Sequence, residues 1–231
     1  MDQIITLDVK YRFFDTEGMI HPVVITNDRS MVLVDCGHIG GLAPIEAAFR
    51  SAELNMSDLT TVIITHHDHD HMGALAALKR KYPAVQVIAS QQESPYISGD
   101  TPSLRLIQAE HIQRSLPDEH KAFGLAFINI LKKVVPASVD LTVSEADTFG
   151  WCGGCRVVAT PGHTPGHISL YLEKHHTVIT GDAAALENGA LVIANPAFAL
   201  DLHEAKKSLE KLLALDADTY ICYHGGVWHK P

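Results

Sequence analysis

The chain has 231 residues, 46% of them hydrophobic and 19% charged, with a formal net charge of −9 from 27 acidic and 18 basic side chains. Those proportions belong to a folded globular chain and exclude disorder as the default, and the length suits one α/β domain. No cluster of Lys and Arg offers a surface for a polyanion, and no apolar run approaches the roughly 20 residues that cross a bilayer, so neither nucleic acid nor membrane is an expected partner.

Met1-Asp2-Gln3-Ile4 lacks the basic start and apolar stretch of a secretory signal, which makes a cytoplasmic location the expectation. Residues 4–14 are rich in β-branched and aromatic side chains and read as a strand. Short strands follow over 21–26 and 31–35, separated by the turn Asn27-Asp28-Arg29-Ser30. Gly40-Gly41 opens a helix over about 42–54. Thr61-Val62-Ile63-Ile64-Thr65 is a continuous apolar run, as expected of a strand buried on both faces. A helix over 73–81 and a buried strand over 85–89 come next.

From 103 to 135 the pattern changes to two helices broken near Leu116-Pro117-Asp118, where Pro117 suits a first turn. Residues 94–135 read as a helical insertion over the active site. Strands return over 139–143, 156–160, 168–172 and 177–180. Asp201 and Glu204 resemble a capping box for a helix with Leu202, Ala205, Leu209, Leu212 and Leu213 on its apolar face. Residues 219–222 read as the last strand. No linker divides the chain, so residues 1–231 are expected to form one domain of two facing sheets with helices outside.

Histidine is the compositional anomaly. The chain carries 15, and His66-His67-Asp68-His69-Asp70-His71 sets consecutive metal-capable side chains between a buried strand and a helix. Imidazole and carboxylate suit zinc, iron and manganese, and ligand sites in α/β sheets lie at the carboxyl ends of strands. Three more segments share that placement: Pro161-Gly162-His163, Gly181-Asp182 and His224-Gly225-Gly226. Each puts one potential ligand beside residues that turn the backbone sharply.

With these motifs, from Val32-Leu33-Val34-Asp35 through His224, the chain resembles the metallo-β-lactamase superfamily. The resemblance implies a four-layer αββα sandwich and a motif His-x-His-x-Asp-His followed by a Gly-His, an Asp and a final His. Thr160-Pro161-Gly162-His163-Thr164-Pro165-Gly166-His167 is similar to the lactonase and glyoxalase II branches. By position, His66, Asp68 and His163 would hold a first metal, Asp70, His71 and His224 a second, and Asp182 would bridge them. The ions would share a hydroxide that attacks an acyl or phosphoryl centre, with Asp70 orienting it and shuttling its proton. One position departs from the pattern. Asp68 stands where the family usually has His, similar to the Glu of the flavodiiron branch, and the added charge favours iron or manganese over zinc. A register through His67, His69 and His71 is the alternative, but it loses the Asp70-His71 pair. In the preferred register His67 and His69 point away from the metals, to supporting or solvent-facing positions.

The implied activity is hydrolysis of an ester, lactone, thioester or related acyl bond in a small-molecule substrate, by a chain that is compatible with a homodimer. The alternatives are an iron-dependent redox enzyme of persulfide-dioxygenase or flavodiiron type and a phosphodiesterase or nuclease. Tyr96 and Tyr223 are candidate donors to a substrate carbonyl, with ordinary packing as the competing role. His38 is a candidate edge of the pocket, and His167 a supporting residue. Trp151-Cys152-Gly153-Gly154-Cys155 looks like a redox motif, but it precedes a strand, so a turn with two incidental thiols is expected.

Overall fold

The computed structural model describes residues 2–231. The chain opens with β1 (Gln3–Thr6), β2 (Val9–Phe13), β3 (Thr16–Ile20), β4 (Val23–Thr26) and β5 (Met31–Val34). Helix α1 (Leu42–Ser51), β6 (Thr61–Ile64), α2 (Leu75–Lys81) and β7 (Gln86–Ser90) then alternate. Three helices follow with no strand between them: α3 (Ser94–Ser98), α4 (Leu104–Gln113) and α5 (Asp118–Leu131). The second half begins with β8 (Leu141–Val143), β9 (Thr148–Phe149), β10 (Cys155–Ala159), β11 (Ile168–Leu172) and β12 (Thr177–Ile179). It ends with β13 (Ala185–Glu187), β14 (Ala190–Val192), α6 (Leu202–Leu213), β15 (Thr219–Cys222) and β16 (Gly226–His229).

One sheet runs β1-β4-β5-β6-β7-β8 and the other β16-β15-β12-β11-β10-β9, with β2-β3 and β13-β14 as separate hairpins. Strands β5 to β8 pair in parallel, which places the turns after β5, β6 and β7 at one end of the sheet. Side-chain alternation explains the layers. Val32, Val34, Ile63 and Ile88 face inward and meet Val157, Leu170, Ile179 and Ile221 of the other sheet. Leu33, Val62, Ile64 and Val87 face outward, against Ile45 and Phe49 of α1 and Leu75 and Leu78 of α2. On the far side Val158, Val178 and Tyr220 pack with Leu212 of α6. The result is the expected αββα sandwich. Each buried Val, Leu or Ile contributes about 1.5–3 kcal/mol, so the inter-sheet layer fixes the relative position of the strand ends.

Several boundaries differ from expectation. Residues 4–14 form two strands, because Leu7 turns inward and donates its N–H to the Pro22 carbonyl at 2.8 Å. That break releases β2 from the first sheet, and it pairs with β3, an element the sequence reading missed. The last strand is β16, since Gly225-Gly226 bends the chain into a hairpin with β15. Asp201 does cap α6, accepting from the N–H groups of His203 and Glu204 at 3.0 Å each. Glu204 pairs with Lys207 at 2.8 Å and leaves the capping box incomplete.

Candidate metal centre

Four strand ends deliver the site. The turn after β6 carries His66 to His71, and the turns after β10, β12 and β15 carry His163, Asp182 and His224. The first turn is held by the His71 N–H on the Asp68 carbonyl at 3.0 Å and the Cys36 N–H on the His71 carbonyl at 2.7 Å. Gly73 lets it close against the loop at His38-Ile39: a Cβ there would lie 2.1 Å from the His69 carbonyl oxygen and 2.3 Å from the Ile39 nitrogen. Gly162, at φ +132°, does the same for His163, because a Cβ would meet the Ala205 nitrogen at 2.1 Å.

One buried carboxylate sets the tautomers of two histidines. Asp35, at the end of β5, accepts from the Thr65 N–H through Oδ1 at 2.8 Å and from the Thr65 hydroxyl through Oδ2 at 2.8 Å. Oδ2 also accepts from Nδ1 of His71 at 2.8 Å. Since the Thr65 hydroxyl spends its proton on Asp35, it must accept from Nδ1 of His66, 3.0 Å away. Both imidazoles therefore carry their proton on Nδ1 and turn a bare Nε2 toward the pocket. His167 is fixed in the same manner. Its Nε2 accepts the Asp182 N–H at 2.8 Å and its Nδ1 donates to the Thr160 hydroxyl at 2.8 Å, so it positions Asp182 from behind.

The seven expected side chains converge. Ligand-capable atoms of His66, Asp68 and His163 lie within 4.8 Å of one another, as do those of Asp70, His71 and His224, and those of His66, His71 and Asp182. Asp182 stands between the two halves. Its Oδ1 is 3.2 Å from Nε2 of His71 and 3.6 Å from Nε2 of His224, while its Oδ2 is 3.4 Å from Nε2 of His163. The Nε2 atoms of His66 and His71 and Oδ1 of Asp182 are buried and have no hydrogen-bond partner. Buried polar atoms are seldom left so, and bare acceptors aimed at one point fit a divalent cation. Electrostatics agree. Burial alone would lower the His71 pKa, yet Asp182, Asp35 and Asp70 raise it well above its usual value. The carboxylates that draw a proton to Nε2 of the metal-free ring thus supply the negative charge that a bound cation would meet in its place. Burial alone would raise Asp182, yet His71, His224 and His163 hold it well below the usual carboxylate range. The superfamily pattern and these clusters mark a metal site.

The first half differs from the second in one respect that the sequence reading missed. Arg105 of α4 is only 2% exposed, and its Nε and Nη2 donate to Oδ2 of Asp68 at 2.9 and 2.7 Å. Asp68 thus adds no net negative charge, which removes the electrostatic part of the expected preference for iron or manganese. Glu93 was missed as well. It is wholly buried after β7 and accepts from the His67 N–H at 2.9 Å, the Thr164 hydroxyl at 2.7 Å and the Gly166 N–H at 2.8 Å. It also pairs with the His67 ring, so it clamps the His66–His71 turn to the turn bearing His163.

Residues weighed for other roles are placed as follows. His67 is buried in that clamp and not solvent-facing. Tyr96 stacks on its ring at 4.6 Å and lines a separate cavity, away from the seven side chains. Tyr223 spends its hydroxyl on the Asp70 carbonyl at 2.6 Å, so it steadies the turn and has no proton to offer a substrate carbonyl. His38 and His69, by contrast, line the cavity above the site, and Nε2 of each is buried without a partner. Burial pushes the His38 pKa down to about 4, which keeps that ring neutral. The cavity measures about 440 Å³, with Asp68, Asp70, His163, Asp182 and His224 on its floor. Tyr11, Phe13, Phe127, Pro196 and Phe198 supply apolar wall.

The model of the metallo-beta-lactamase superfamily matches residues 15–224. A probable metallo-hydrolase of Bacillus subtilis, YflN, is 31% identical over 212 residues, covering 85% of this chain and 76% of that one. A hydroxyacylglutathione hydrolase of Bartonella henselae is 30% identical over 214 residues, covering 89% of this chain but only 66% of its relative. Among solved structures, a metallo-beta-lactamase family protein of Thermus thermophilus superposes with a TM-score of 0.71 at 21% identity, covering 98% of this chain and 74% of that one. That likeness concerns the fold alone. Among the described residues, no helix is long and apolar enough to cross a membrane.

Proposed function

The chain belongs to the metallo-β-lactamase superfamily, and from that premise we propose that it is a metal-dependent hydrolase of an ester, lactone, thioester or related acyl bond in a small molecule. One observation carries the reading. Potential ligands from four strand ends converge under an open cavity of about 440 Å³, a volume typical of small-molecule sites, and Nε2 of His66 and His71 and Oδ1 of Asp182 among them are buried without a partner.

Asp70, His71, His224 and Asp182 would hold an ion there, and His66, Asp68 and His163 face it from the other side. A bound divalent ion supplies Lewis acidity, lowering the pKa of water and stabilising the oxyanion that forms at an attacked carbonyl. The chain supplies the rest. Burial alone would raise the Asp70 pKa, yet His69, His71 and His224 hold the carboxyl well below its usual range. It is therefore a carboxylate at neutral pH and can orient the attacking water and take its proton. His38 and His69 replace the two tyrosines as candidate contacts for the polar atoms of the substrate. Phe13, Phe127 and Phe198 receive its apolar part and exclude water from the bond being cleaved. The cavity is lined by residues of the 94–135 segment through Arg105 and Phe127, which supports the reading of that segment as the substrate-selecting roof.

The test is a panel of esters, lactones, thioesters and phosphodiesters, assayed with protein stripped of metal and reconstituted separately with zinc, manganese and iron. Turnover of one acyl class that requires added metal is the expected result. Oxygen consumption with thiol substrates and no hydrolysis would replace this reading with the redox one.

A further inference from the structure

The first half of the cluster already contains a cation. Nη2 of Arg105 lies 2.7 Å from Oδ2 of Asp68 and 3.1 Å from Nε2 of His163, the atoms that half would offer to a metal. Zinc bonds to imidazole and carboxylate run roughly 2.0–2.2 Å and use the same lone pairs. Nε2 of His163 also lies 3.0 Å from Oδ2 of Asp68, so, as acceptor from Arg105 or as donor to Asp68, it is already engaged, and a divalent ion could bind it only by displacing that hydrogen bond. The two cations would also repel across a few ångströms in a dry pocket.

Arginine is locked in that place by partners for every donor it has. Nε and Nη2 engage the Asp68 carboxylate in the bidentate geometry that a guanidinium and a carboxylate share. Nη1 donates to Oε1 of Gln108, one turn along α4, and to the Phe198 carbonyl. The Phe198 ring covers the guanidinium with its centroid 5.0 Å from Cζ. A mobile surface arginine drifting into an empty pocket would not find acceptors from three separate segments. The aspartate at 68 has its counterpart here as well. Imidazole in that position could accept a single hydrogen bond but could neither neutralise a guanidinium nor bind it through two atoms, whereas carboxylate makes half of an arginine site.

We infer that Arg105 takes the place of the first metal, so that the chain binds a single divalent ion, at Asp70, His71, His224 and Asp182, with the guanidinium as a fixed cation facing it. This rests on the metal-dependent reading above and narrows it. The second half is free of any such obstruction: neither Nε2 of His71 nor Oδ1 of Asp182 has a hydrogen bond.

Metal content decides the matter without reference to turnover. Stripped protein is equilibrated with a small excess of zinc, or of manganese, desalted and analysed by mass spectrometry of the metal. Wild type should retain one ion per chain and Arg105→Ala two. His163→Ala, with Arg105 intact, should still retain one, and it covers the case in which Arg105→Ala does not fold. Two ions in wild type, or a drop on losing His163, would overturn the inference while leaving a metal-dependent enzyme. One ion in a folded Arg105→Ala would also overturn it, because the guanidinium would then not be what excludes the second. No retained metal in wild type would overturn both readings.

Discussion

Asp35 and His71 are joined by a 2.8 Å hydrogen bond from Nδ1 to a carboxylate that is 1% exposed. Asp35 never reaches the cavity, yet through Thr65 it also fixes His66. Two potential ligands thus depend on one side chain behind them.

Replacing that carboxylate should loosen both rings. Asp35→Asn is expected to keep the fold and weaken metal binding by about 10–100-fold, the usual effect of losing a supporting hydrogen bond. Competition with a chromophoric chelator measures it, and an unchanged affinity would show that the two rings are oriented by something else.

The Asp68–Arg105 pair makes a different prediction, about folding. Side-chain exposure is 6% and 2%, so removing either partner leaves a buried charge uncompensated and should cost about 3–5 kcal/mol. In urea denaturation with chelator present, Asp68→Ala and Arg105→Ala should each be less stable than the double variant. Additive losses would mean that the two groups do not depend on each other.

Phe127 offers a test of substrate chemistry. It lines the cavity while its ring meets Phe13 at 6.1 Å and Phe198 at 5.7 Å. Phe127→Ala should raise KM for substrates with a bulky apolar acyl group by roughly tenfold, corresponding to the loss of one buried aromatic contact, and leave acetyl substrates nearly unaffected. An equal change for both would place the acyl group elsewhere.

The four cysteines are all buried. Burial raises the Cys155 and Cys222 thiols to about 12 and the other two above their usual value. Thiolate is the reactive form, so no cysteine should react rapidly with a disulfide reagent at pH 8 until the protein is unfolded. The unfolded chain releases these protons near pH 9, and the folded chain holds them. Stability from this source is therefore complete below about pH 9 and is lost as pH rises toward 12.

Much of the site was legible because strand ends follow a rule. His66, His163, Asp182 and His224 each come directly after an apolar run, and three of those runs carry a turn residue beside the ligand. The same rule reaches Asp35 after β5 and Glu93 after β7, but a carboxylate with no histidine beside it carries no metal signature. Arg105 was not legible by position, since an arginine on an amphipathic helix usually faces solvent. Its trace lay in Asp68: an extra buried charge among ligands needs a cation, and one from the helical segment supplies it. The strands missed, β3, β9, β13, β14 and β16, are two to five residues long and lie in two-stranded hairpins or at a sheet edge, where so short a run shows little alternation.

The most direct measurement is hydrolysis and metal content of His71→Ala beside wild type, on a substrate found with the panel. His71 sits at the point where Asp35, Asp70 and Asp182 meet, and its ring is a ligand in two of the three donor groups. A folded variant that has lost its metal and at least about 100-fold of its turnover, as expected when the ion supplies the Lewis acid, is the predicted result. A folded variant that hydrolyses the substrate at the wild-type rate would contradict the metal-centred account.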